Sequence, residues 1–342
     1  MELSDNEIVT LLLCSDLALS GSAVPFTDVV YSEFAHVLFK IGKQPADLYT
    51  MNEYDIDEFI SLSEKLCKFD AKYKFAVNIP KLLKRHQQLL IELGMLERYG
   101  INVITRANRK YYPSKIINKL SAAGVSIPAV IYYAGNLSLI DSFRNIAIVG
   151  SRNLDADQSA EFFTKIFVER AVMSDYGISS GGAKGIDICS QKAVISNNGR
   201  FIITVSDSLL KKIVDPDVRH GIQNGNGLFL SLVNPKERFK SYNAMARNKI
   251  IYSVSDYALV VTSEYQTKFK NGIEVIDDNK GGTWVGAHEC FKKHFSKLLI
   301  RSNGQFTSRG NRKMLDTLDV IEVDEQKFLS DSNMSVNFLL NG

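Results

Sequence analysis

The sequence predicts an α/β fold in which a doubly wound, mainly parallel sheet follows a small helical N-terminal domain. From residue 145 onward, short apolar runs alternate with amphipathic stretches at the spacing of parallel βαβ units. The apolar runs are continuous in Ile, Val, Ala and Leu, which is typical of strands that helices cover on both faces. Right-handed crossovers then give an extended Rossmann-like sheet, in which ligands bind beyond the carboxyl ends of the strands.

The 342-residue chain has the composition of a globular protein, with 45% hydrophobic and 23% charged residues. Its formal net charge of +3 neither requires nor excludes a nucleic-acid partner, because clustering of the cations decides that question. The four cysteines stand far apart without a CxxC pair, so we expect neither a metal site nor a disulfide framework, and no cofactor is indicated. The N-terminus lacks the regions of a signal peptide, and no apolar run has the length of a membrane span. We therefore expect a cytoplasmic protein.

The helical N-terminal domain is predicted over residues 1–98. Ser4 and Glu7 have the spacing of a capping box at the start of a helix. Apolar residues recur with the helical period in three further segments, at 31–41, 56–69 and 80–99. For the basic side chains of the last segment, a solvated helix face is favoured over contact with a phosphate backbone; they are Lys81, Lys84, Arg85 and His86.

The second domain is predicted over residues 99–330, with a lead-in at 99–144 and a C-terminal tail at 331–342. The lead-in contains predicted strands at 101–105 and 128–133 and a brief helix at 115–123. The strand candidates of the main sheet are 146–150, 176–180, 201–205, 257–262, 297–301 and 319–323. The helix candidates that alternate with them are 156–173, 183–196, 243–253, 284–294 and 311–317.

Glycines and cations recur where these strands end, which is where a ligand is expected. The first strand is followed by Gly150, Ser151 and Arg152, and the second by Gly181, Gly182, Lys184 and Gly185. A third turn of this kind precedes a later helix and consists of Lys280, Gly281, Gly282 and Thr283. Glycine lets a phosphate approach the backbone closely, and the start of the following helix supplies free N–H groups and a partial positive charge. The three turns together therefore predict a phosphate site.

Two common nucleotide-binding motifs are missing from the chain. The turn Gly150-Ser151-Arg152 does not fit GxGxxG, and no acidic residue closes the second strand to hold a ribose. There is also no GxxxxGK[ST] phosphate loop. A single glycine turn is often only a packing device between a strand and a helix, so the prediction depends on all three turns occurring together.

Three motifs resemble those of the DprA/Smf family of DNA-processing proteins, in order and well spaced. They are residues 146–152 (IAIVGSR), 179–187 (SSGGAKGID) and 246–251 (ARNKII). The resemblance covers roughly residues 99–324 and implies an extended Rossmann fold that binds single-stranded DNA, helps to load the recombinase RecA onto it and forms a homodimer. It also implies that the phosphate pocket includes three residues beside the first two glycine turns, namely Arg247, Asn248 and Lys249. For Asp187 we favour a role as a buttress of its loop.

The chain departs from the usual pattern of this family in several places. Val205-Ser206-Asp207 stands where a glycine usually follows the third strand, and a long insertion at 265–279 follows Glu264. The Gly-Gly-Thr form of the third turn is closer to a divergent branch of the superfamily, which includes nucleotide-binding and nucleotide-cleaving proteins. The C-terminal winged-helix domain of many members is not expected here.

Two functions of different classes follow from these observations. The first is a non-catalytic protein that binds single-stranded DNA in DNA processing and recombination, with bases stacked on aromatic rings such as Phe269 and Trp284. The second is an enzyme or sensor for a nucleotide, in which Glu264 and Asp187 bind a ribose or activate water. A protein-interaction module with a relic pocket is a third interpretation. The sequence leaves open whether the pathway is transformation, genome maintenance or conflict with phages and mobile elements.

Overall fold

The computed structural model describes residues 2–19, 23–51, 55, 61, 79–155, 157–270, 273–277, 280–332 and 334–341. Ahead of the sheet, the described elements are α1 (Asp5–Cys14), α2 (Asp28–Lys40), a 3₁₀ helix at Pro45–Tyr49, α3 (Ile79–Leu83) and α4 (His86–Arg98). The predicted capping box at α1 is confirmed, since the Ser4 N–H donates to the Glu7 carboxylate at 3.1 Å. Most of the helix predicted at 56–69 lies outside the described residues.

The prediction of a single helix at 80–99 is wrong, because the chain breaks into α3 and α4 next to Arg85. Arg85 is only 6% exposed, and its guanidinium donates to backbone carbonyls at the end of α1. Nη1 lies 2.8 Å from the carbonyl oxygen of Leu17, and Nη2 lies 3.1 Å from that of Ser15 and also contacts that of Leu12. The last carbonyls of a helix have no partner within it. Arg85 therefore stabilises the C-terminus of α1 and does not lie on a solvated face.

The remaining elements form one large sheet, the helices around it and a separate hairpin. In chain order the strands are β1 (Asn102–Thr105), β2 (Val130–Gly135), β3 (Asn145–Val149), β4 (Gly177–Ser180), β5 (Phe201–Val205), β6 (Gly227–Ser231), β7 (Tyr257–Val260), β8 (Thr267–Lys270), β9 (Ile273–Ile276), β10 (Lys297–Ser302) and β11 (Ile321–Asp324). The helices are α5 (Ser114–Ala122), α6 (Leu139–Ser142), α7 (Ser159–Met173), α8 (Ile186–Ser196), α9 (Leu209–Lys212), α10 (Pro216–Gln223), α11 (Ser241–Ser253), α12 (Gly282–Lys293), α13 (Arg309–Thr317), α14 (Glu325–Ser330) and α15 (Val336–Asn341), with a 3₁₀ helix at Gly304–Phe306.

The described strands of the large sheet follow the order β1-β2-β6-β5-β4-β3-β7-β10-β11. β2 pairs antiparallel with β1 and with β6, and the other neighbours pair parallel. From β3 the chain builds outward through β4, β5 and β6, and it then returns to place β7, β10 and β11 on the other side. The order therefore reverses between β3 and β7, where Val149 is opposite Val260. In an open α/β sheet, such a switch point is where a ligand binds.

The centre of the sheet is buried on both faces. Successive side chains of a strand point to opposite faces, so Ile146 and Ile148 of β3 join one core and Ala147 and Val149 join the other. The first core also contains the apolar side chains of α1 and α2, which places the N-terminal helices against the sheet. This arrangement confirms the predicted doubly wound α/β fold.

The predicted strands and helices of the sheet are present, with ends shifted by a few residues. β6 is not among the predicted strands, although the run 228–233 (LFLSLV) is apolar except for Ser231. The predicted insertion at 265–279 contains the β8–β9 hairpin. The predicted tail contains α15, whose Val336 is buried. Within the described part of the chain, no helix has both the length and the apolar character needed to cross a lipid bilayer.

Candidate phosphate-binding site

A cavity of about 690 Å³ opens at the switch point, beyond the carboxyl ends of β3 and β7. It is lined by the turn after β3, by the start of α12, and by α11 with the segment before it. Glu264, which follows β7, also lines it. The cavity thus brings together the predicted turns at 150–152 and 281–283 with Arg247 and Asn248.

Contacts with both neighbouring loops fix the turn after β3. The Ser151 N–H donates to Thr262 Oγ1 at 3.0 Å, and the Ser151 carbonyl accepts from the Ile186 N–H at 3.3 Å. Thr283 Oγ1 donates to the Gly150 carbonyl at 2.9 Å. A side chain at Gly150 would not fit, because its Cβ would lie 2.5 Å from Cγ1 of Ile186. The backbone of this turn is therefore held in one place beside the cavity.

The loop after β4 lies behind this turn and supports it. Gly185 has a φ of +80°, and a Cβ there would lie 2.2 Å from the Ser151 carbonyl oxygen. Gly181 leaves room for Arg247, whose Nη1 would lie 2.3 Å from an added Cβ. Close packing between loops therefore requires these glycines. Four predicted site residues of this loop do not line the cavity; they are Gly181, Gly182, Gly185 and the exposed Lys184.

Arg247 on α11 supplies a cation that is only partly neutralised. It is 8% exposed, and its Nη1 donates to the Gly181 carbonyl at 2.6 Å. Nη2 donates to Asn248 Oδ1 at 3.1 Å and lies 3.9 Å from Asp187 Oδ2, while Nε has no hydrogen-bond partner among the described residues. Burial lowers the pKa of Arg247 and raises that of Asp187, so desolvation outweighs their mutual attraction. One buried N–H donor of this cavity-lining arginine is therefore without a partner among the described residues.

The start of α12 faces the same cavity. Gly281, with a φ of +90°, is the N-cap of the helix and has no side chain with which to cap it. Asn248 Nδ2 donates to the Gly282 carbonyl at 3.5 Å, which ties α11 to this turn. The first N–H groups of a helix have no partner within it and carry a partial positive charge. A phosphate at the Gly281–Thr283 turn would be stabilised by those groups.

Exposed aromatic rings stand at the mouth of the cavity. Phe239 is 48% exposed and Tyr242 is 64% exposed, and both line the opening. The guanidinium of the exposed Arg152 lies 5.3 Å from the centre of the Phe239 ring. These rings are not among the predicted site residues. The run 236–242 (KERFKSY) contains the signal, since it places two aromatic residues among basic ones, as nucleic-acid-binding segments often do.

Several predicted site residues lie elsewhere. Lys249 does not line the cavity, since its Nζ lies 3.4 Å from Glu289 on α12, and Lys280 is exposed outside the lining. Trp284 is only 3% exposed and packs on neighbouring rings, so the hypothesis that bases stack on it is wrong. Phe269 is 77% exposed, but it lies on β8 away from the cavity lining. Among the described residues, no group of His, Cys, Asp or Glu is arranged to hold a metal ion.

Residues 102–267 match the family model for DNA recombination-mediator protein A, and they include all of the cavity lining except the start of α12. Over this region the chain is similar to the DprA/Smf family. Members of this family are DNA-processing and recombination proteins, as the descriptions of the model and of the relatives state.

Two curated relatives show how far the similarity extends. The chain is 27% identical to protein Smf of Synechocystis over 221 residues, which is 60% of this chain and 53% of that protein. It is 30% identical to the DNA processing protein DprA of Bacillus subtilis over 189 residues, which is 53% of this chain and 57% of that protein. The chain therefore spans about half the length of the curated relatives it matches.

The X-ray structure of DprA from Streptococcus pneumoniae matches the fold with a TM-score of 0.61 and 17% sequence identity. The match covers 98% of this chain and 100% of that one. The N-terminal helices and the sheet therefore share one overall arrangement with that protein.

Proposed function

We propose that this protein binds single-stranded DNA in DNA processing or recombination, with backbone phosphates in the cavity at the switch point. The observation that carries this proposal is the convergence of three cationic elements on one open cavity. They are the start of α12, the exposed Arg152 and the partly neutralised Arg247. Phosphate contacts supply most of the affinity of such sites.

The rings at the mouth favour a single strand over a duplex. Phe239 and Tyr242 are both exposed, and Phe239 lies beside Arg152, so a phosphate held by Arg152 would bring the adjoining base next to the Phe239 ring. Stacking on an aromatic side chain contributes about 1–3 kcal/mol per base and requires an unpaired base. A strand with free bases can use both the cations and the rings, which a duplex cannot.

The acidic residues of the cavity support binding without catalysis. The Asp187 carboxylate is buried, accepts from the Ala183 N–H at 3.4 Å and lies beside Arg247. Glu264 Oε1 accepts from the Arg309 N–H at 3.3 Å, which places it at the start of α13. Since both carboxylates have partners in the fold, we propose that neither serves as a general base.

A substitution at Arg152 tests the proposal. Arg152→Ala should weaken binding of a fluorescent oligothymidylate about tenfold and equally for other base sequences, and it should lower the salt slope by about 0.7. Arg219→Ala removes an exposed arginine of α10 that does not line the cavity and serves as the matched control. Unchanged affinity and salt slope in Arg152→Ala, read by fluorescence anisotropy, would rule out this cavity as the DNA site.

A free nucleotide is the second candidate ligand. The cavity volume of about 690 Å³ is within the usual range for small-molecule sites, and the exposed Glu264 lines it. Calorimetric titration with a mononucleotide and with an oligonucleotide separates the two candidates. Tight binding of the mononucleotide together with no binding of the oligonucleotide would favour a nucleotide enzyme or sensor.

From the family resemblance we further propose that the protein is a cytoplasmic homodimer and helps RecA to assemble on single strands. Transformation is one of the pathways in which we propose that it acts. Light scattering of the purified protein reports the oligomer directly. RecA filament assembly on DNA that is coated with single-strand-binding protein reports the loading. A monomer at all concentrations, or no acceleration of assembly, would remove the corresponding part of this proposal.

A further inference from the structure

A second depression, of about 360 Å³, lies beside the cavity and is not part of it. Tyr265 forms one side of the depression, and Arg309, Arg312 and Lys313 of α13 form the other. α13 follows β10, and Tyr265 follows β7, so the depression lies at the same edge of the sheet as the cavity.

The helical period places the cations of α13 on its outer face. Gly310, Asn311 and Met314 are buried against the sheet, and Asn311 Nδ2 donates to the Val260 carbonyl at 3.1 Å. The side chains between these positions must then point to solvent, and all three cations of the depression are exposed. Asp316 is the acidic residue of its lining, so cations exceed anions there among the described residues.

Two of these cations are held at the surface by contacts that leave them accessible. The Arg309 guanidinium lies 4.6 Å from the centre of the Tyr265 ring. Arg312 Nη2 donates to the Gln305 carbonyl at 3.1 Å, which holds it over the preceding turn. Lys313 Nζ has no ion-pair partner within the described part of the chain.

Consecutive residues of the segment after β7 line the two depressions. Glu264 and Gln266 line the cavity, Tyr265 lines the second depression, and Glu264 accepts the Arg309 N–H at the start of α13. A strand that left the cavity past Glu264 would therefore come next to Tyr265 and the cations of α13. Because its carboxylate is negatively charged, Glu264 is the least favourable point for a polyanion between the cavity and the depression.

We infer that the depression is a second contact site for the same DNA strand, which binds the phosphates that follow those in the cavity. This inference rests on the proposed function. The ligand class is a single-stranded polyanion, because the depression presents exposed cations at the edge of the sheet where the cavity binds the strand. Strands long enough to reach both sites gain from α13, and strands that fill only the cavity do not.

Binding of two strand lengths tests the inference. The probes are labelled oligothymidylates of about 4 and about 20 nucleotides, which span the usual site sizes of about 4–16 nucleotides for single-strand-binding modules. The double variant Arg312→Gln/Lys313→Gln should weaken binding of the long probe about tenfold and lower its salt slope by about 1.4, while leaving the short probe unaffected. Lys292→Gln/Lys297→Gln removes two exposed cations elsewhere on the protein and is the matched control.

The outcomes separate the two proposals. If the wild-type protein binds neither probe, the proposed function is wrong. If the wild-type protein binds both probes and the α13 variant binds the long probe with wild-type affinity, the second site is wrong. If the α13 variant binds both probes more weakly by the same factor, the second site is also overturned, because α13 would then act through the cavity. Lys313→Glu serves as a second variant that leaves the Arg312 contact intact, and its thermal unfolding should match that of the wild type.

Discussion

Two buried arginines show how differently the helical N-terminal part and the cavity use the same side chain. Arg85 donates to carbonyls of Leu12, Ser15 and Leu17, and its Nε lies 3.3 Å from a fourth carbonyl oxygen. Arg247 donates to one backbone carbonyl, and its Nε has no hydrogen-bond partner among the described residues. The donors of the first arginine are satisfied by the fold, whereas Nε of the second has no partner among the described residues. Arg247 combines this unpaired donor with a position in the cavity lining, and Arg85 has neither.

The largest effect expected from this comparison is the loss of folding stability when Arg85 is replaced. Arg85→Met should lower the free energy of unfolding by about 3 kcal/mol, because the carbonyls at the end of α1 would be left without partners in a buried place. Urea unfolding measures this loss, and Lys84→Met, at an exposed neighbouring position, is the control. DNA affinity per folded molecule should not change. A stability loss no larger than that of the control would contradict a structural role for Arg85.

Arg247 should show the opposite pattern, with a smaller effect on stability and a larger one on binding. Arg247→Met should raise the Kd for single-stranded DNA about thirtyfold, which corresponds to about 2 kcal/mol for a lost charge-assisted hydrogen bond. Anisotropy titrations and urea unfolding of the same preparation separate the two effects. Arg200→Met is the control, since Arg200 bonds Asp175 outside the cavity. Wild-type affinity in the Arg247 variant would remove the distinction between the two arginines.

The exposed ring at the mouth should have a smaller effect that is confined to unpaired bases. Phe239→Ala should weaken binding of a single strand by about 1 kcal/mol, because one stacked base is lost, and it should leave binding of an abasic oligomer unchanged. Phe162→Ala provides the control, since Phe162 is a similarly exposed ring of α7 that does not line the cavity. Equal losses for the base-containing and abasic strands would show that the ring does not stack on bases.

The smallest expected effect concerns the charge beside Arg247. Burial raises the pKa of Asp187, so protonation of this carboxyl begins at a higher pH than is usual for aspartate. Affinity for DNA should rise as the pH falls through that pKa, because protonation removes a negative charge from the cavity wall. Asp187→Asn should bind about threefold more tightly at neutral pH and should lose this part of the pH dependence. A pH profile of Kd that is identical in both proteins would contradict this role of the carboxylate.

The architecture could be predicted from the sequence because the strands of this sheet are buried on both faces. Their apolar runs, such as 146–149, are continuous, and several are followed by glycine or by the start of a helix. β6 and the β8–β9 hairpin are absent from the predictions although the sequence contains signals for both. The run 228–233 (LFLSLV) is apolar except for Ser231, and the Asn-Gly pair at 271–272 is typical of a hairpin turn.

The site could be predicted only in part. The glycine turns indicated the edge of the sheet at which the cavity opens. The sequence could not show that Gly181 and Gly185 make room for neighbouring loops. Nor could it place Trp284, since an aromatic residue at the start of a helix fits either a stacking site or the core. The run of basic and aromatic residues at 236–242 was visible beforehand, yet it is far in sequence from the first two turns. Only the return of the chain to β7 brings that run to the cavity.

The bonds that join the turn after β3 to its neighbours have a consequence for how such a site evolves. Gly150 and Ser151 are tied to α12 and to the loop after β4, so the floor of the cavity is formed before any ligand arrives. A preformed floor loses little conformational entropy on binding. A substitution in one of its loops displaces the others, whereas Phe239 and Tyr242 at the rim project into solvent and can change freely. Divergence of ligand preference should therefore accumulate at the rim while the floor stays constant.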